Sequence, residues 1–233
     1  MVNALGTEKA EVERLLEKGK QVAIKVQADF LPRHYAQVVY WSIYQPGMGY
    51  SLPVTTLSED ELNHVQSKPV QAILPAMGYN RNMPKPVVYG PREFGCVAFR
   101  HLFVSQGSSK IAMLMRHYRH GGKIGRAFRI GLQWFQFVNG VSFDSLEFPN
   151  RLLPQATGKL FISIRQYLAA SGLGLKFTKL LYTVATRRKN DKVLMDEVLR
   201  TIKTPTKIQQ INLVRLFLRV ECLSEICTAD GLT

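Results

Sequence analysis

Residues 111–140 read IAMLMRHYRHGGKIGRAFRIGLQWFQFVNG, and this stretch points to one class of fold. Apolar side chains recur at steps of three and four residues on both sides of the Gly121-Gly122 pair, which is the spacing of a buried helix face. The recurring positions are Ile111, Leu114, Met115, Tyr118, then Ile124, Phe128, Leu132, Phe135 and Val138. The pattern predicts two amphipathic helices joined by a glycine turn, the second ending at Gly140.

The same periodicity extends upstream of this pair. It predicts one helix over about residues 8–29, and a second from Pro32 until Pro46, Gly47 and Gly49 stop it. Ser58 with Glu61 forms the sequence of a capping box, so a third helix should begin there. Because proline lacks a backbone donor, Pro69 should kink or restart that helix.

Downstream, a shorter helix is expected over about residues 160–170, with further helical segments over about 190–202 and 206–220. The alternation from Ile211 to Val220 also allows an extended segment. Residues 78–100 are too rich in glycine and proline for a long regular element, and read as an ordered loop with a short strand at 87–89. We therefore predict an all-α fold of one or more helical bundles interrupted by this loop.

The charge balance favours a polyanionic partner. The chain has 31 Lys plus Arg against 17 Asp plus Glu, a formal net charge of +14, and nucleic acid is the commonest polyanion in a cell. Anionic membrane is the rival, but no run of about 18 apolar residues occurs and we predict no membrane partner. The N-terminus lacks the features of a secretion signal, and the three cysteines suit a reducing compartment, so a nuclear or cytoplasmic location is expected.

Basic side chains concentrate in the middle of the chain, where Glu93 is the sole acid. The predicted nucleic-acid contacts there are Arg81, Lys85, Arg92, Arg100, Lys110, Arg116, Arg119, Lys123, Arg126 and Arg129. Several flank an apolar helical stripe, so they can face phosphates while the stripe packs inward. The alternative is that these basic side chains only form a solvated helix face and bind no ligand.

A second basic group is formed by Arg187, Arg188 and Lys189. For this group, phosphate contact or nuclear import and a merely solvated loop are equally compatible with the sequence. Aromatic residues at helical spacings are predicted to be core residues rather than base-stacking platforms. They are Tyr40, Trp41, Tyr44, Trp134, Phe135 and Phe137.

Catalytic motifs are scarce. A two-metal polymerase centre needs paired aspartates, and no Asp-Asp pair occurs in the chain. Neither a Walker loop nor a Gly-x-Ser-x-Gly elbow is present, and His117 and His120 do not give the His-x-x-Arg spacing of a tyrosine recombinase. Cys222 and Cys227 supply at most half of a zinc site. We predict no catalytic residue, metal or cofactor in this chain.

One family resemblance is carried by the loop and its surroundings. The run from Gly78 to Pro91, then Phe94-Gly95 and Arg100-His101-Leu102, resembles the segment that follows the polymerase palm in reverse transcriptases of non-LTR retrotransposons of the diatom and protist type. Further matching segments are Tyr40 to Pro46, Tyr50 to Pro53, Thr56 to Leu62, Ser105 to Gly107, Leu132 to Gln136 and Leu223 to Ile226. The family often has Gly-Gly where this chain reads Gly95-Cys96, and Glu where it reads Ser105.

The resemblance implies a thumb-like helical region at residues 1–104 and a C-terminal basic helical region at 105–233, with a single domain as the alternative. It implies a non-catalytic fragment of an RNA-directed DNA polymerase that grips RNA or DNA template-primer beside the palm of the parent protein. Magnesium would belong to that palm. The contrasting hypothesis is a stand-alone basic helical module for nucleic-acid binding or scaffolding.

Overall fold

The computed structural model describes residues 8–28, 31–177, 182, 184, 186 and 188–228. Helices dominate, and among these residues the pairing of extended backbone is limited to one isolated bridge between Val193 and Cys222. The predicted all-α class is confirmed. The chain divides into two compact units, Met1–Met113 and Leu114–Thr233.

Up to residue 89, the described part of the first unit contains five α-helices and a π-helical turn. They are α1 (Lys9–Ala28), α2 (Arg33–Val38), the π-helical turn (Val39–Tyr44), α3 (Gln45–Gly49), α4 (Glu59–Ala76) and α5 (Lys85–Tyr89). The elements from α2 to α3 follow one another without a break, and the helix ends at Gly49 as predicted.

Helix α4 begins with the predicted capping box. The Ser58 hydroxyl accepts the Glu61 backbone N–H at 3.2 Å, and the Glu61 carboxylate accepts the Ser58 backbone N–H at 2.8 Å. The helix runs without interruption to Ala76, so the predicted restart at Pro69 is wrong. The reason lies in α1, which packs against α4: a Cβ on Gly19 would lie 3.0 Å from Pro69 Cγ and 3.3 Å from the Val65 carbonyl oxygen. Because Gly19 has no side chain, there is room for the Pro69 ring and for the Val65 carbonyl, which receives no hydrogen bond from Pro69 because proline has no N–H.

The loop at 78–100 is ordered, but its predicted strand is wrong. Residues 87–89 belong to the short helix α5, whose N-cap is Pro84 and whose first turn contains Pro86. The chain then runs back along the helix, since the Val97 N–H donates to the Val87 carbonyl at 3.0 Å and the Phe99 N–H to the Val88 carbonyl at 2.9 Å. The Phe99 ring stacks on Tyr40 with 3.6 Å between ring centroids. The loop is thereby fixed to the π-helical turn.

The remaining helices are α6 (Leu102–His120), α7 (Lys123–Asn139), α8 (Lys159–Ala170), α9 (Leu194–Thr201) and α10 (Pro205–Leu218). Helix α10 excludes the extended alternative as far as Leu218. In the second unit, α9 and α10 contribute Met195, Val198 and Ile208 to a core cluster that also includes Val141. Phe135 of α7 meets Phe161 of α8 with 5.4 Å between ring centroids.

Two buried arginines hold loop and helix ends in the second unit. The Arg165 guanidinium donates to the carbonyls of Ser145, of Pro149 at 3.1 Å and of Arg151 at 2.5 Å. Arg215 donates to the carbonyls of Phe137 at 2.8 Å and Val138 at 3.0 Å, at the end of α7. Guanidinium suits both places because its planar fork can satisfy several carbonyls at once. Burial lowers the pKa of both arginines.

Candidate nucleic-acid interface

The end of α6 and the start of α7 form a tight helical hairpin in the second unit. Gly121 adopts φ +70°, a left-handed conformation that suits glycine and ends α6. A Cβ on Gly125 would lie 2.1 Å from the His117 carbonyl oxygen, so the first turn of α7 touches the last turn of α6 through backbone. The Arg129 guanidinium donates to the Tyr118 carbonyl at 3.1 Å and lies 4.8 Å from the centroid of the Tyr118 ring.

Four of the predicted phosphate contacts lie on either side of this hairpin turn. The side chains of Arg116, Arg119, Lys123 and Arg126 are exposed, and within the described residues none of them forms an ion pair with an acid. No Asp or Glu occurs in the sequence between Glu93 and Asp144. We call these four residues the hairpin cations. Their charge is directed to solvent and is not neutralised by neighbours along the chain.

The outer face of α7 continues from the hairpin cations into exposed apolar residues. Lys123, Arg126, Ile130 and Trp134 follow one another at helical steps, and Ile130 and Trp134 are 66% and 63% exposed. The prediction that Trp134 is a core residue is therefore wrong. Tyr40, Tyr44 and Phe135 are buried as predicted, whereas Trp41 and Phe137 are half-buried.

Four other predicted contacts lie in the loop of the first unit. Arg81, Lys85, Arg92 and Arg100 are all exposed. Arg100 is held through its backbone: its N–H donates to the Tyr40 hydroxyl at 2.8 Å, and its carbonyl accepts from the Gln45 amide at 2.9 Å. Its guanidinium lies 5.8 Å from the centroid of the Trp41 ring. Arginine and tryptophan are thus presented together beside the loop.

Lys110 corrects the sequence-based prediction. Its side chain is completely buried, so it does not project towards phosphates with the others. Burial lowers the pKa of Lys110 to about 8, and the negative charge of Glu8 partly offsets this effect. The residue belongs to the interior of the first unit.

The second basic group is only partly described. Arg188 and Lys189 are exposed in a turn, and Arg187 lies outside the described residues. Sequence reasoning missed Arg165 and Arg215, whose guanidinium groups bind backbone carbonyls inside the second unit. No motif in the sequence distinguishes these two buried arginines from the exposed ones.

Two open cavities are relevant to binding. One, of about 680 Å³, lies in the first unit and is lined by His34, Gln37, Val38, Trp41, Ser42, Arg92 and Ala98. The other, of about 1030 Å³, lies in the second unit, where largely apolar residues such as Leu153, Ile162, Leu199 and Ile202 form much of its wall. Among the described residues, the first lining contains one arginine, Arg92, and no acid. The second contains Arg151, Arg165, Arg200 and Lys203 beside Asp196.

The described part of the chain has no group of three His, Cys, Asp or Glu side chains that could hold a metal ion. None of its helices combines the length and the hydropathy that crossing a membrane requires. No known family model, curated protein or solved structure matches the chain. The described residues thus present two cationic features, the exposed hairpin cations and the cavity lined by Trp41 and Arg92, which we call the Trp41 cavity.

Proposed function

We propose that this protein binds the sugar-phosphate backbone of a template-primer duplex through the hairpin cations, as a non-catalytic part of a non-LTR retrotransposon reverse transcriptase. The binding proposal rests on four exposed cations on either side of the α6–α7 turn that have no acidic partner among the described residues. When exposed cations without acidic partners neutralise phosphates, counterions condensed on the nucleic acid are released, and this release is the main source of sequence-independent affinity.

The retrotransposon part of the proposal is supported by the sequence resemblance around residues 78–102. The absence of an Asp-Asp pair from the sequence agrees with a palm supplied by another part of the parent protein. An in-frame palm containing Tyr-x-Asp-Asp upstream in the coding DNA would support this assignment. An isolated promoter and start codon at Met1 would favour a stand-alone nucleic-acid-binding or scaffolding module instead.

The binding proposal is tested by salt dependence. On duplex DNA the logarithm of affinity falls with the logarithm of salt by about 0.9 per phosphate contact. Replacing Arg116, Arg119, Lys123 and Arg126 together by Gln should flatten that slope by roughly 2 to 4 units and weaken all sequences alike. Fluorescence anisotropy with two unrelated labelled duplexes measures both effects.

The control variant removes the same charge elsewhere. Replacing the exposed Lys9, Lys20, Lys25 and Lys68 of α1 and α4 by Gln lowers the net charge equally but leaves the hairpin intact. This control should keep most of the wild-type slope. A hairpin variant that retains its helical circular dichroism and binds with wild-type affinity and slope would refute the proposal, as would equal losses in both variants.

A further inference from the structure

The cavity beside the π-helical turn has two unusual backbone features. Its wall contains Trp41 and Ser42, which belong to the π-helical turn, a rare conformation that is frequent at functional sites. The lining also contains Ala98, whose φ of +61° is strained for a residue with a Cβ. Hydrogen bonds of Val97 and Phe99 to α5 hold Ala98 in this conformation. The backbone of this part of the lining is thus fixed by hydrogen bonds before and after Ala98.

The side chains of the cavity combine an aromatic ring with positive charge. The Trp41 indole is only half-buried, and the Arg100 guanidinium lies 5.8 Å from its centroid. Arg92, which is exposed, is the one arginine of the lining, while Gln37, Ser42 and His34 offer hydrogen-bonding groups. Arg100 is outside the lining and is placed near it by its contact with Trp41. No Asp or Glu of the described residues lines the cavity. An aromatic surface beside acid-free positive charge complements a planar ring that carries a phosphate.

We propose that this cavity binds a nucleotide of a single-stranded nucleic acid, with the base against Trp41 and the phosphate at Arg92 and Arg100. The inference adds a second site to the proposed function and rests on it only for the polymer that supplies the nucleotide. Stacking on a ring is tolerant of sequence, since every base has a π-face.

The test uses the fact that the chain contains only two tryptophans. In a Trp134→Phe background, Trp41 is the sole indole fluorophore of the full chain. Titration with a ten-nucleotide single-stranded DNA of mixed sequence should quench its fluorescence in a saturable way. A parallel titration with adenosine monophosphate shows whether the nucleotide comes from a strand or is free. If adenosine monophosphate saturates the quenching at a concentration equal to or lower than that of the oligonucleotide, the cavity is a mononucleotide site and the strand part of the proposal is wrong.

Variants then separate stacking from charge. Trp41→Leu should weaken binding of the labelled oligonucleotide roughly 5- to 150-fold, the range found for loss of one base–aromatic stack, and Trp41→Phe should retain part of the affinity. In the Trp134→Phe background, Arg92→Gln should reduce the salt slope by about 0.7, the value for one phosphate contact on a single strand. Lys25→Gln, an equal loss of charge on an exposed face of α1, should leave that slope unchanged.

The outcomes distinguish this site from the hairpin cations. The hairpin variant in the Trp134→Phe background should still show quenching by the oligonucleotide, even where its duplex binding is lost. Absence of quenching by both the oligonucleotide and the mononucleotide would overturn the inference and leave the duplex proposal intact. So would quenching that Arg92→Gln and Lys25→Gln weaken equally.

Discussion

Two tyrosines four residues apart differ in their hydroxyl groups rather than in their burial. Tyr40 and Tyr44 both lie in the π-helical turn, at 0% and 2% exposure. The Tyr40 hydroxyl accepts hydrogen bonds from the Arg100 N–H at 2.8 Å and from the Gln45 amide at 2.6 Å. The Tyr44 hydroxyl has no partner within the described residues. The Tyr40 hydroxyl therefore anchors the loop, whereas burial of the Tyr44 hydroxyl without a hydrogen bond lowers the free energy of unfolding.

This contrast predicts opposite effects of the same substitution. Tyr40→Phe should lower the free energy of unfolding by about 1–3 kcal/mol, because the Arg100 N–H loses its acceptor. Tyr44→Phe should leave stability unchanged or raise it, because it removes an unsatisfied buried hydroxyl. Urea unfolding followed by circular dichroism measures both values. A Tyr40→Phe variant as stable as Tyr44→Phe would show that the hydroxyl does not anchor the loop.

Among the elements, the α6–α7 hairpin depends on one glycine. Replacing glycine by alanine in a helix interior normally raises the free energy of unfolding by about 1 kcal/mol. At Gly125 the new Cβ would lie 2.1 Å from the His117 carbonyl, and backbone cannot rotate away as a side chain can. The position of the hairpin cations therefore depends on close backbone contact between the two helices.

Gly125→Ala should therefore destabilise the protein by roughly 1–3 kcal/mol, despite the better helix propensity of alanine. Gly131 of the same helix provides the matched control, because a Cβ there would meet only the edge of the Phe161 ring at 3.3 Å. Gly131→Ala should be neutral or slightly stabilising. Thermal unfolding followed by circular dichroism measures the midpoint of each variant. Similar midpoints for Gly125→Ala and Gly131→Ala would contradict the close packing of the hairpin.

Apolar periodicity predicted most helices, since their buried faces have apolar residues at helical steps. It failed where polar residues occupy the buried face of a helix. The buried positions of α6 include Phe103, Gln106, Lys110 and Leu114, again at helical steps, but Gln106 and Lys110 read as surface residues in the sequence. The Gln106 side-chain oxygen accepts a hydrogen bond from the Leu57 N–H, and the Gln106 side-chain nitrogen donates one to the Leu57 carbonyl. These contacts depend on tertiary structure.

Short segments failed for a different reason. Val87, Val88 and Tyr89 have the side chains of a strand, but α5 begins after Pro84 and contains Pro86 in its first turn, where the fixed φ of proline favours a helix. Of the predicted site, the exposure of the hairpin cations followed from the amphipathic pattern. The Trp41 cavity did not, because it joins residues that are some fifty positions apart in the chain.

At the scale of the whole molecule, the formal charge of +14 includes basic groups that solvent does not reach. Lys110, Arg165 and Arg215 are all buried. Burial affects stability through pH for Lys110, because it lowers the pKa from 10.5 to about 8. Between these values the unfolded chain binds a proton that the folded chain does not, so the free energy of unfolding should rise with pH.

The rise between about pH 8 and pH 10.5 should amount to about 3 kcal/mol if unfolding exposes Lys110 fully. Lys110→Met, which has a similar volume and no charge, should abolish this contribution. Burial also raises the pKa of the Cys222 thiol from 9.0 to about 11, which lowers stability over part of the same range. The difference between wild type and Lys110→Met in urea unfolding cancels the cysteine effect. A difference that does not change between pH 7 and pH 10 would contradict the lowered lysine pKa.

The hydrogen bonds of Arg215 also bear on the order in which the second unit folds. They reach back 77 and 78 residues along the chain to the carbonyls at the end of α7. A ribosome completes α7 well before it adds the arginine, and closing so long a segment carries an entropy cost that grows with its length. We therefore expect the last turn of α7 to fray in the nascent chain until α10 has been synthesised and has docked.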